Sequence, residues 1–507
     1  MKVENSLSSR RMSKDNLYMI LLATSAVLLT FVLCPFSPVY RYNFDTDSVC
    51  YEIVARGIMK GKVPYRDLFD HKGPFTYVIY LLGYLISFGS SWGSMIVYCV
   101  INACTYILAY KTVCIYKNED ISFGSVTLFM FISGFVIESV FSNSSRPDNF
   151  LLIPLLLSAY IFASEVKKQG KDTVLSNKQM FIIGLMCGVV FATKLNVCLY
   201  YFLFGSFYFL HLLISKRFAD LFKNFLAFMG GIVLVCIPFA VYLGINHAFF
   251  DFIDIYIVFN AKYSAFDGYS FCLLRETISS PAKISITIFL VLTLLSFAKM
   301  LRKKEGRIQK ILYLALSAVI FGALTISYVC SYFFIIFMPI FLCGTTFLSE
   351  IIHTHMRTKS DFAKIVSMIL IVQVINTIMQ CVIVPYTPKD KTQYERDIET
   401  FVEEHPDADY LYFLSLCLPV YNSYTDALPE VKNFYLPYGA KEDMYKSQLV
   451  AIANGDVDVV LVASSSDADR EETVELSWPE SHGYIEYSSM EQNGVTYFML
   501  VRSDLVE

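Results

Sequence analysis

Residues 43–74 read NFDTDSVCYEIVARGIMKGKVPYRDLFDHKGP. This polar stretch lies between the first apolar run of the chain and the next. It carries Asp45, Asp47, Glu52, Arg56, Arg66, Asp67, Asp70, His71 and Lys72, in a protein where only 17% of residues are charged. Most connections between elements need only ~4–6 residues, so a loop this long and this charged does more than join two segments. The remainder of the chain reads as its support.

Hydrophobic residues make up 55% of the 507 residues and aromatics 16%, and the mean hydropathy is +0.50. A soluble chain of this length would be closer to balance. Apolar runs of about 20 residues recur, each long enough to cross a bilayer. The fold class this predicts is a polytopic α-helical membrane protein. A β-barrel would show short alternating segments instead. The formal charge of −4 is spread thinly, which argues against a nucleic-acid partner. Of thirteen cysteines, Cys99, Cys104, Cys187, Cys198, Cys236 and Cys343 fall inside apolar runs, where they act as small hydrophobes. No pair has metal-ligand spacing, and no disulfide framework is indicated.

Residues 1–16 form a polar N-terminus with Lys2, Arg10, Arg11 and Lys14. The first span, about 17–36, is read as a retained anchor because further spans follow it. Basic loops at 165–178, 215–223, 299–310 and 353–364 alternate with loops poor in Lys and Arg at 142–149, 193–196, 246–281 and 327–331. The positive-inside rule places the basic set and the N-terminus in the cytoplasm. The chain is then a multi-pass protein of the plasma (inner) membrane. The weakest span candidate is 74–90, short and rich in Tyr and Gly, which would lie along the outer surface or re-enter. About eleven crossings are expected, with twelve or thirteen as alternatives.

The transmembrane region is taken as 17–384, its first outer loop as 37–74, and a soluble extracytoplasmic region as 385–507. Pro385, Pro388 and a run of charges open the latter. Helices are predicted at 390–404 and 441–453, and strands at 409–416, 457–463, 483–488 and 495–502. That alternation suggests a small α/β domain. Nothing in it resembles a phosphate-binding glycine loop, so no chemistry is assigned to it.

Within the first loop, Val49, Ile53 and Ile58 would form one face of a short amphipathic helix from about Asp47 to Gly61. Asp45 and Asp47 then sit at or before its N-terminus, where free N–H groups favour them as caps. Capping alone does not account for a second charged group, Asp70-His71-Lys72, later in the same loop. Charges kept near a membrane are usually functional.

Asp47, Tyr51, Ala55, Gly61 and then His71-Lys72-Gly73-Pro74 resemble the first periplasmic loop of GT-C glycosyltransferases of the protein-mannosyltransferase and aminoarabinose-transferase type. In that pattern an Asp-Glu pair is followed by a Tyr, an Ala, a Gly and a Lys-Pro-containing turn. This chain departs from it at Ser48, which stands where the Glu would be, and Asp45 could partly substitute. The resemblance is specific over 43–74, general in span layout to about 384, and does not extend to the C-terminal region.

The resemblance implies an enzyme that moves a sugar from a polyprenyl-phosphate donor to an extracytoplasmic acceptor with inversion. Asp47 would be the general base, supported by Asp45. Lys72, then Arg146 and His71, would bind the donor phosphate. Asp148, Asp70, Arg56 and Lys194 would support the site. Arg146 and Asp148 belong to SNSSRPDNF at 142–150, where Arg can grip phosphate through its fork. The structural alternative is a proline-containing loop with an incidental ion pair. Lys194 could equally snorkel to the interface. The aromatic and acidic mixture at 246–281 suits an interfacial segment. His353 and His355 lie in a cytoplasmic loop and are not read as ligands. No cofactor and no metal are expected, although Asp45, Asp47 and Asp148 could hold a hard divalent cation. The competing function is a transporter or flippase of lipid-linked saccharides, which would gather charges near the midplane and show repeats. Here charges gather in outer loops, with Glu138 the exception. A polymerase acting on the same lipid-linked sugars is a further alternative.

Overall fold

The computed structural model describes residues 46–87, 91–116 and 147–262. It also describes 391–506 apart from 438–439, 466–472 and 493, together with scattered positions at 16–31 and residue 295. Asp45, Glu138, Arg146, His353, His355, the basic loops at 299–310 and 353–364 and the last expected span lie outside the described residues. The chain divides into two compact units. One comprises Met1–Ser37, Met95–Phe239 and Asp267–Tyr386; the other comprises Pro38–Ser94, Ala240–Phe266 and Thr387–Glu507.

The first unit is helical where it is described. Trp92–Thr112, Leu195–Ile214 and Phe218–Ile245 are long and apolar enough to cross a membrane. Ser176 begins the Asn177–Phe191 helix with a reciprocal cap to Gln179, which satisfies end donors that would otherwise be orphaned. Its core gathers Leu151, Leu155, Met180, Ile183, Val190 and Tyr201. Two buried polar contacts cross it: the Tyr201 hydroxyl donates to the Pro154 carbonyl at 2.9 Å, and the Asn224 amide N–H donates to the Tyr208 hydroxyl at 2.8 Å. Two glycines set the packing of the Asn177–Phe191 and Phe218–Ile245 helices. A Cβ at Gly184 would lie 2.1 Å from the Phe228 carbonyl oxygen, and one at Gly231 would lie 2.3 Å from that of Phe181. Such small residues let membrane helices approach closely.

The second unit joins three stretches that are distant in sequence. Its first helix, Thr46–Met59, matches the expected first-loop helix, with Val49, Ile53 and Val54 fully buried. The Pro74–Ser87 helix follows; proline at its start is preorganised for a first turn. Fourteen residues rise about 21 Å, short of the ~30 Å hydrocarbon core.

A four-stranded sheet forms the centre of the C-terminal region. Its strands are β1 (Tyr410–Tyr412), β2 (Val459–Ser465), β3 (Tyr484–Gln492) and β4 (Val495–Arg502), in the order β1-β2-β4-β3. β1 is parallel to β2, and β4 is antiparallel to both its neighbours. Val459, Val460, Leu461 and Val462 are all buried, as expected of a central strand covered on both faces. The Gln393–Glu404 helix opens on a reciprocal Thr392–Glu395 cap, and the Glu442–Asn454 helix ends at Gly455 in the left-handed region, φ 72°, a conformation open to glycine. The Thr473–Ser481 helix was not expected from the sequence.

The cysteine reading requires one correction. Cys50 and Cys417 form a disulfide across 367 residues of chain. Neither lies in an apolar run, and partners this far apart leave no spacing signal.

Candidate functional site

The site is built on the second unit. Asp47 lies in the first turn of the Thr46–Met59 helix, half-buried, where the helix dipole favours a carboxylate. Tyr51 is one turn further along the same face and is 2% exposed. The Lys72 ammonium stands over the Tyr51 ring, 5.8 Å from its centroid, a cation–π arrangement. Lys72, from the far end of the loop, thus lies against a ring carried one helical turn from Asp47. Ser48 is fully buried, so the position at which the chain departs from the family pattern faces the interior.

The turn that carries Lys72 is held at the main-chain carbonyls of His71 and Lys72. Tyr65 adopts φ 69°, a left-handed conformation costing an ordinary residue about 1–2 kcal/mol. Its buried ring packs edge-on against Tyr77 and Phe252, and its hydroxyl donates to the Lys72 carbonyl at 2.7 Å. The Tyr77 hydroxyl lies 3.1 Å from the same carbonyl and shares its one proton between it and Asp70. Asn260, at the end of the Ile253–Phe259 π-helix, donates to the His71 carbonyl at 2.6 Å. The Lys72 ammonium donates to Nε2 of His71 at 2.7 Å.

Asp70 is buried at 1% exposure. It accepts from the His71 N–H at 2.7 Å, the Tyr435 hydroxyl at 2.9 Å and the Tyr77 hydroxyl at 3.1 Å. Burial pushes its carboxyl above the usual range, against the pull of Lys72 and these donors. It is thus a group inside the protein that shapes the turn, rather than one open to a substrate.

Arg56 is placed differently from the expectation of a supporting charge beside substrate. It lies in the last turn of the helix, 5% exposed. It donates to the Thr425 carbonyl at 2.6 Å and to Asn422 Oδ1, and lies 3.6 Å from Asp426. Burial opposes its charge, but Tyr410, Glu52, Asp426 and Tyr412 together hold its pKa above the ordinary value. Burial raises the Glu52 carboxyl, and Arg56 opposes that shift. Arg56 ties the first loop to the C-terminal region. The Phe69 N–H, which donates to the Lys432 carbonyl at 2.9 Å, and Lys62 with Glu430 at 2.8 Å add to the same seam. The 249–260 segment joins it through Asp251 and Lys432 at 2.8 Å.

The remaining sequence candidates fall elsewhere. Asp45 and Arg146 lie outside the described residues. Asp148 belongs to the short Pro147–Phe150 helix of the first unit. Lys194, in the same unit, is half-buried between the Asn177–Phe191 helix and a short 3-10 turn. The described structure therefore brings together Lys72, His71 and Asp70, against a helix that also carries Asp47. Sequence reasoning missed Tyr435, Asn260 and Cys417. Nothing local distinguishes one tyrosine or asparagine among many, and their roles come from a fold that draws distant segments into one unit.

No family model matches the chain, and no curated protein matches it. Among solved structures it is similar to ArnT from Cupriavidus metallidurans, in a crystal structure bound to undecaprenyl phosphate and in another of the apo state. Both comparisons have a TM-score of 0.59 at 11% identity; they cover 95% and 96% of this chain and 98% of the other. The chain shares the fold of these structures, in line with the expectation drawn from the first-loop pattern.

Proposed function

We propose that this protein is a membrane glycosyltransferase that takes a sugar from a polyprenyl-phosphate donor and delivers it, with inversion, to an acceptor on the outer side of the membrane. The observation that carries this reading is the Lys72 ammonium above Tyr51, one helical turn from Asp47. Its support is the likeness of nearly the whole chain to a protein crystallised with undecaprenyl phosphate.

In this reading the lipid phosphate lies against Lys72. The acceptor hydroxyl or amine attacks the anomeric carbon, forming the new glycosidic bond. The bond from that carbon to the phosphate oxygen breaks, and the lipid phosphate leaves with the electron pair. Asp47 takes the acceptor's proton, a general-base contribution of ~10²–10⁴-fold. Lys72 offsets the charge that grows on the leaving phosphate. The reaction as written needs no cofactor.

The C-terminal region is assigned to the extracytoplasmic side, with the N-terminus in the cytoplasm. The Cys50–Cys417 disulfide favours this arrangement, because such bonds persist in oxidising compartments and the pair puts both partners on one side. The test is incubation of the purified protein with a panel of polyprenyl-phosphate sugars and a mixture of envelope acceptors, with detection of released lipid phosphate. No release from any donor, under conditions where the protein is folded, overturns the reading.

A further inference from the structure

Lys72 has an unbranched, flexible side chain of the kind that normally samples many rotamers, yet here it is aimed by its neighbour. An ammonium has donors and no acceptor. In the 2.7 Å contact between Lys72 Nζ and His71 Nε2, the imidazole nitrogen must therefore accept. A neutral ring that accepts at Nε2 carries its proton on Nδ1. That atom lies 3.6 Å from Asp70 Oδ1, beyond hydrogen-bond reach, and Asp70 Oδ1 instead accepts from the His71 main-chain N–H at 2.7 Å. Asp70 is in turn held by Tyr435, a residue 365 positions away in the C-terminal region. The four groups form a chain from that region through a buried carboxylate, the His71 main-chain N–H that it accepts and the His71 imidazole to the cation.

We infer that Tyr435, Asp70 and His71 are positioning residues that set the aim of Lys72, so that the C-terminal region governs how tightly a polyprenyl phosphate is held. The inference rests on the proposed role of Lys72 as a ligand of that phosphate. The carboxylate holds His71 through its main-chain N–H, at 2.7 Å, and so fixes the backbone from which the imidazole projects. The imidazole then presents a lone pair to one Lys72 N–H and leaves the other two for a ligand. The Tyr435 hydroxyl holds Asp70 on the side away from solvent. Asn260 and Tyr65 fix the two main-chain carbonyls of the turn, so the motion left to Lys72 is that of its own side chain.

A purely structural role for Tyr435 makes a different prediction, which a double-mutant cycle separates. The probe is undecaprenyl phosphate, titrated into the full-length protein in lipid nanodiscs, with thermal unfolding followed in parallel. Lys72→Ala is expected to weaken binding by tenfold or more. Tyr435→Phe, which keeps the ring beside Phe69 and removes the hydroxyl, is expected to weaken it by about 3–10-fold, the scale of one hydrogen bond. In the Lys72→Ala background, Tyr435→Phe should add nothing. His71→Phe should behave like Tyr435→Phe, and His71→Gln should restore part of the loss, because its amide oxygen can accept from Lys72. If Tyr435→Phe does not fold, the His71 pair carries the same cycle.

Equal losses from Tyr435→Phe with and without Lys72 would overturn the inference and leave Lys72 as a phosphate ligand. Unchanged binding in Tyr435→Phe would do the same. Unchanged binding in Lys72→Ala would overturn the phosphate assignment itself, and the inference with it.

Discussion

Cys50 and Cys417 are joined by a disulfide that closes 367 residues of chain, and Cys50 lies three residues from Asp47 on the same helix. The helix that carries the proposed base is therefore covalently attached to the C-terminal region. Changing both cysteines to serine should lower stability by about 2–4 kcal/mol, the usual range for a native disulfide. Reductant should shift thermal unfolding of the wild-type protein and have no effect on the double variant. A wild-type melting curve indifferent to reductant would count against the bond.

Arg56 should prove structural. Arg56→Ala leaves the half-buried Glu52 without its cation and removes donors from Thr425 and Asn422. Hydrogen bonds from a charged group are worth about 1.5–3 kcal/mol each. Unfolding should move by that order, while turnover per folded molecule stays close to wild type. A selective loss of turnover at normal stability would return Arg56 to the site.

Asp47 and Lys72 should fail in different ways. Asp47→Asn keeps size and hydrogen bonding but cannot take up a proton at neutral pH. Single-turnover transfer should fall by roughly 10²–10⁴-fold with little change in donor binding. Lys72→Ala should weaken donor binding and lower turnover together. Full activity in Asp47→Asn would remove it as the base. If Asp45→Asn were instead the inactive variant, the base would lie two residues earlier.

The C-terminal region carries a pH signature. Burial pushes Asp409 up to about 6, against the backbone donors of Asp458 and Glu430. Its folded pKa thus exceeds the unfolded value near 3.9. Between those values the folded state binds more protons, so this group's contribution to stability falls as pH rises from about 4 to 6. The full shift corresponds to at most about 3 kcal/mol at neutral pH. The difference in melting temperature between Asp409→Asn and wild type should therefore move in the variant's favour from pH 4 to pH 7. A difference that stays constant across that range would exclude the shift.

The sequence by itself determined the local elements. The apolar spacing of Val49 and Ile53 places a helix at Thr46–Met59, Pro74 marks the start of another, and the run VDVVLVA becomes the buried strand β2. Each follows from a period or a restricted dihedral that acts within a few residues. The charged turn at Asp70-His71-Lys72 was also legible as unusual. Its internal division of labour was not: Asp70 is buried beneath Tyr435 while Lys72 reaches over Tyr51. Arg56 was visible as a charge, but only the tertiary structure turned it inward to Asn422 and Thr425. The Cys50–Cys417 bond was read as absent because no spacing announces a partner 367 residues away. Local patterns specify which face of an element is apolar. Which distant face it meets depends on how the whole chain closes its core, and the pairing of Asp70 with Tyr435 was decided there.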